Sequence, residues 1–83
     1  MNIYVGNLDF KVNEKDLDAI FSEYGEVRSA KIIMDKYSGK SKGFGFVEMA
    51  NQDEGNNAIK ELNGATLKDR SIVVNEARPK KEY

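Results

Sequence analysis

Cysteine and histidine are both absent from this 83-residue chain. Without cysteine there is no disulfide and no thiolate chemistry. Without histidine the commonest general base is missing, and with both gone so are the side chains that transition metals favour. Catalysis is therefore not expected, nor is a metal or other cofactor. Long apolar runs are missing too, since nothing approaches the ~20 residues needed to span a membrane as a helix. The first eight residues, MNIYVGNL, lack the basic and apolar stretches of a signal peptide. A cytoplasmic protein with no membrane partner is expected.

What is present is one short domain, assigned to residues 1–78 and followed by a basic tail at 79–83. The net charge is −1, but the charges are segregated along the chain. Between residues 14 and 24, Glu14, Asp16, Asp18 and Glu23 outweigh Lys15. Residues 53–61 are also acidic. Between residues 31 and 42, Lys31, Lys36, Lys40 and Lys42 outweigh Asp35, and residues 68–83 are again basic. Where charge sits matters more to a polyanion than its total.

Residues 42–49 read KGFGFVEM. In a strand, alternate side chains point to opposite faces. Phe44 and Phe46 then share a face with Lys42 and Glu48, while Gly43, Gly45, Val47 and Met49 share the other. Unpaired charges are almost never fully buried, so the phenylalanines lie on the wet face. Exposed, clustered aromatics mark binding surfaces. The two glycines are expected under a helix, where missing side chains permit close approach.

The rest of the chain supplies partners for that strand. Residues 2–6 alternate, with Tyr4 on the polar side. Asn13 caps a helix whose apolar positions are Leu17, Ile20, Phe21 and Tyr24, and Gly25 is expected to end it in a left-handed conformation. Val27 to Met34 reads as a strand with Ala30, Ile32 and Met34 on one side and Lys31 and Ile33 on the other. A second helix spans about Gln52 to Leu62 and stops at Asn63-Gly64. Gly55, Asn56 and Asn57 make its start weak. A last strand covers Ser71 to Glu76, with Ile72 and Val74 facing one way and Val73 and Asn75 the other. Phe10 is expected to pack at the helix entrance, and Tyr37 to pin the loop after the second strand. This β-α-β-β-α-β order implies an α+β, ferredoxin-like sandwich. A four-stranded antiparallel sheet carries two helices on one face and leaves the other open.

At this point the chain resembles the RNA-recognition motif family. Lys42, Gly43, Phe44, Gly45, Phe46 and Val47 fit six of the seven specified positions of that family's octamer. Ile3-Tyr4-Val5-Gly6-Asn7-Leu8 resembles its first-strand hexamer, and the element order matches throughout. The likeness is to small stand-alone bacterial members. It implies that Tyr4 and Phe46 stack on two successive bases, that Phe44 inserts between their sugars, and that Lys42 meets a phosphate. More loosely, it implies contacts to base or backbone from Lys31, Asn75 and Arg78. The implied partner is single-stranded RNA bound by a monomer. Single-stranded DNA on the same face is an alternative, and a protein-interaction domain of the same fold is another. Met49 departs from the octamer, but on the core side. Gly55 stands where the family commonly has alanine, and Asp69 stands where glycine is usual before Arg70, so that turn is expected to differ. Glu48 adds a negative charge at the rim.

Overall fold

A computed structural model describes residues 1–77. Arg78 and the tail at 79–83 lie outside the described residues. The elements in chain order are β1 (Asn2–Gly6), α1 (Glu14–Ser22), β2 (Val27–Met34), β3 (Ser41–Met49), α2 (Gln52–Leu62), β4 (Thr66–Leu67), β5 (Arg70–Ser71) and β6 (Val73–Glu76). The main sheet is antiparallel with order β2-β3-β1-β6, and β4 and β5 form a separate hairpin. The helices cover one face, α1 over β2 and β3, α2 over β6 and β3. The expected ferredoxin-like architecture is therefore present. Among the described residues, no helix is long and apolar enough to cross a membrane.

Both helix starts follow from their caps. Asn13 Oδ1 accepts from the Asp16 N–H at 2.9 Å, and Asp16 Oδ2 accepts from the Asn13 N–H at 3.0 Å, a complete capping box. Asn51 Oδ1 accepts from the Glu54 N–H at 3.0 Å, which offsets the poor helix formers that follow. Gly64, at φ 87°, turns the chain after α2, and Asn63 Oδ1 accepts from the Val74 N–H at 3.0 Å, tying that helix end to β6. Between the layers, Ile3, Val5, Val47, Met49 and Val74 of the sheet are buried with Leu17, Phe21, Ala58 and Leu62 of the helices. Tyr24 packs against this core.

Several local expectations are corrected. The glycines of β3 do not serve helix approach. A Cβ on Gly45 would run into the Lys31 carbonyl oxygen of β2, so this glycine lets two strands close up. Gly43 sits at φ 86°, a region that β-carbons disfavour. It marks a bulge, because Ile32 pairs with Gly45 but Met34 pairs with Ser41. Beyond that irregularity Met34 lines the same hollow as Ile32, in keeping with the alternation along β2, but it is 52% exposed. Gly25 is not left-handed. Its missing side chain instead makes room for Glu54 of α2. Phe10 is 71% exposed and Tyr37 is 98% exposed, so neither ring packs as expected. The β2–β3 loop is held by Asp35 Oδ1, which accepts from the N–H groups of Tyr37 and Ser38 at 2.7 and 3.2 Å. Those two donors, more than the nearby Lys42 charge, hold the Asp35 carboxyl below its ordinary pKa.

The last strand is also divided. Arg70–Ser71 pairs with Thr66–Leu67, and only Val73–Glu76 joins the main sheet. Lys68 and Asp69, the two residues between Leu67 and Arg70, have φ 50° and 69°. Positive φ at both central positions is the signature of a type I′ hairpin turn, which favours glycine second. Asp69→Gly is therefore expected to stabilise the fold by about 0.5–1 kcal/mol, the relieved left-handed strain exceeding the entropy of a more flexible unfolded chain. Lys68 is better kept, since its Nζ lies 3.8 Å from Asp16 Oδ2. A urea titration reads the gain as a raised midpoint at constant slope. A lowered midpoint would show that Asp69 carries no strain worth removing.

Candidate nucleic-acid interface

The two central strands, β1 and β3, carry the aromatic side chains of the uncovered face. Register aligns them. Tyr4 lies opposite Phe46 on one side and opposite Asn75 on the other, and Phe46 lies opposite Lys31. Lys31, Phe46, Tyr4 and Asn75 thus form one row across β2, β3, β1 and β6, about 14 Å long at the usual strand spacing. Phe44 lies two residues further along β3 on the same face. The three rings form a near-equilateral triangle. Tyr4 and Phe44 have centroids 6.0 Å apart at 30°, Tyr4 and Phe46 5.9 Å at 66°, and Phe44 and Phe46 6.2 Å at 88°. Each ring therefore supports the other two in aromatic contact.

Exposure separates them. Tyr4 and Phe44 are half-buried, and Phe46 is 38% exposed. Gly6 explains the pose of Tyr4, because a Cβ at that position would collide with the tyrosine ring and hydroxyl. The ring therefore lies along β1 over Gly6. Flat rings held by neighbours and open to water offer π-faces at little entropic cost to a planar, apolar ligand.

Charge runs along β3. Glu48 flanks the rings at one end, opposite Asn2 and Ser29, and Lys42 lies exposed at the other. Of the residues the sequence singles out, Tyr4, Phe46, Lys31 and Asn75 share the row, Phe44 adjoins it and Lys42 borders it. Arg78 lies outside the described residues. Sequence reasoning missed Arg70, whose Nη2 donates to Asn7 Oδ1 at 2.7 Å and which borders the same face beside Phe44. No periodicity in residues 66–71 signals this. The one available cue was the turn chemistry that makes a hairpin there. Val73, opposite Gly6, is the other addition, an exposed apolar neighbour of Tyr4.

The sequence pattern that describes the RNA recognition motif matches residues 3–73. RbpB of Nostoc sp., a protein named for RNA binding, is 44% identical over 82 residues, covering 99% of this chain and 80% of that protein. The crystal structure of an RNA-binding protein called PG1 superposes with a TM-score of 0.93 at 45% identity, covering 99% of each chain. A Sxl-lethal protein–RNA complex gives a TM-score of 0.90 at 32% identity, covering 98% of this chain and 48% of that one. With the octamer on β3, the hexamer on β1, and sequence and fold agreeing over nearly the whole length, this chain belongs to the RNA recognition motif family.

Proposed function

We propose that the protein is a non-catalytic binding module for single-stranded RNA. Bases stack on Tyr4 and Phe46, Phe44 packs against the sugars between them, and Lys42 meets a phosphate. Lys31 and Asn75 contribute at the ends of the row, and Arg78, which lies outside the described residues, adds a contact to base or backbone. The observation that carries this reading is the triangle of rings on the sheet face that no helix covers. Single strands suit such a face because their bases can be splayed out and stacked, whereas a duplex keeps its bases inside. The names of the relatives support RNA as the partner. The same proposal takes residues 1–78 as the binding domain and 79–83 as a basic tail, acting as a monomer in the cytoplasm.

Salt dependence tests it. Lys31 and Lys42 border the rings, Arg78, Lys80 and Lys81 follow in the sequence, and Glu48 opposes them. If ~2–4 phosphates are neutralised, the log–log slope of affinity against salt for a single strand is roughly −1.4 to −2.8. The measurement is affinity for one short RNA at several salt concentrations, repeated with the DNA strand of the same sequence and with the RNA duplex. A shallow slope with weak duplex binding is expected. A slope steeper than about −5, or a duplex bound as tightly as the single strand, would place recognition in an electrostatic groove and not on the rings.

A further inference from the structure

Beyond Phe44 the sheet face continues into a shallow pocket of about 320 Å³, bordered by Tyr4, Phe44, Phe10, Lys42, Asn7 and Arg70. We propose that this pocket holds one further nucleotide of the same strand, its base against Phe10 and its phosphate between Lys42 and Arg70. The inference rests on the single-strand reading above and extends it by a subsite.

The pocket is built by contacts between distant parts of the chain. At the end of β1, Asn7 turns the backbone at φ 56°, a conformation uncommon outside glycine. Its side chain then faces the β4–β5 hairpin. Nδ2 donates to the Ser71 carbonyl at 2.6 Å, and Oδ1 accepts from Arg70 Nη2 at 2.7 Å. The hairpin is thereby fastened to the open face, and the guanidinium is aimed by one hydrogen bond while most of its five donors stay available. One residue further, the Leu8 N–H donates to the Gly43 carbonyl at 2.8 Å, seating the β1–α1 loop on the bulge of β3. Leu8 and Val12 enter the core, and Phe10 between them is left outside with its ring beside Lys42.

The resulting chemistry is an aromatic surface between two cations. Among the described residues neither Lys42 nor Arg70 forms an ion pair. A planar apolar group joined to an anion satisfies both features, and a nucleotide is that combination. Tyr4 and Phe44 belong to the pocket and to the ring triangle alike, so a strand lying on the triangle reaches the pocket without leaving the surface. Polarity sets the direction of this extension. Glu48 repels phosphates at the far end of β3, and Lys42 and Arg70 attract them at this one.

Chain length separates this subsite from the main face. The probes are base-randomised RNA strands of two and of six nucleotides, titrated by NMR against the full chain. The quantity read is the ratio of their affinities. Phe10→Ala is expected to lower that ratio by ~5–150-fold, the worth of one stacked base. Phe10→Leu, which keeps apolar contact but has no π-face, should lower it nearly as far. Arg70→Ala should flatten the salt slope of the longer strand by about 0.7, one phosphate contact. Phe10 is so exposed that its variants should keep the thermal transition of the parent. A ratio unmoved by Phe10→Ala, while Tyr4→Ala and Phe46→Ala weaken both strands, overturns the subsite alone. A leucine that restores the ratio overturns stacking as its basis. If the parent binds neither strand, the subsite falls together with the single-strand reading.

Discussion

Phe21→Ala is expected to cost about 3–5 kcal/mol of folding stability, the usual range for truncating a buried phenylalanine. The ring has no solvent exposure. It lies one turn after Leu17 on α1, so both side chains enter the core on the face turned to the sheet. Truncation removes the transfer energy of the ring and leaves a cavity that close-packed neighbours on two layers can fill only in part. A domain of this size has a total stability of roughly 5–15 kcal/mol, so the variant forfeits a large share of it. Urea titration followed by far-UV circular dichroism measures the loss. A midpoint equal to that of the parent would place Phe21 at the surface and refute the helix register.

Removing Tyr4 and Phe46 together should do the reverse, sparing the fold and abolishing most binding. Each stacked base is worth ~1–3 kcal/mol. Because the two rings touch, with centroids 5.9 Å apart, their losses should not simply add. The double alanine variant is expected to lose about 2–5 kcal/mol of binding free energy for a short single-stranded RNA. Neither ring is among the buried core residues, so the cooperative unfolding transition should persist with a smaller shift than Phe21→Ala produces. Fluorescence anisotropy with a labelled strand gives the affinity, and a melt of the same sample gives the fold. Parent-like affinity, or a variant that does not fold, would remove the rings from the recognition surface.

The difference between these two aromatic sites is already written in the sequence. Phe21 repeats at helical spacing with Leu17, Ile20 and Tyr24. Phe44 and Phe46 repeat at strand spacing with Lys42 and Glu48. Period and neighbouring charge suffice to assign one ring to the core and two to the open face, because both are properties of residues within a few positions of each other. The helix cap at Asn13 and the stop at Asn63-Gly64 are local in the same sense. So are the ends of β1 and β2, and the order of strands and helices follows from them.

What only the tertiary structure decided depends on residues far apart in the chain. The glycine at 45 is required by the backbone of β2, not by a helix, and no pattern within β3 names which neighbour comes close. Met34 lines the same hollow as Ile32 but stays half-exposed, because the regular pairing of β2 with β3 ends at the Gly43 bulge and that end of the sheet lies open beside Phe10 and Lys11. Arg70 reaches the ring face through Asn7, 63 positions earlier. Phe10 is exposed because Leu8 and Val12 take the places in the core on either side of it. Periodicity describes how a segment divides between core and water. It carries no term for two segments that meet end to end, so the pocket beside Phe44 exists only once β1, β3 and the hairpin have been folded against one another.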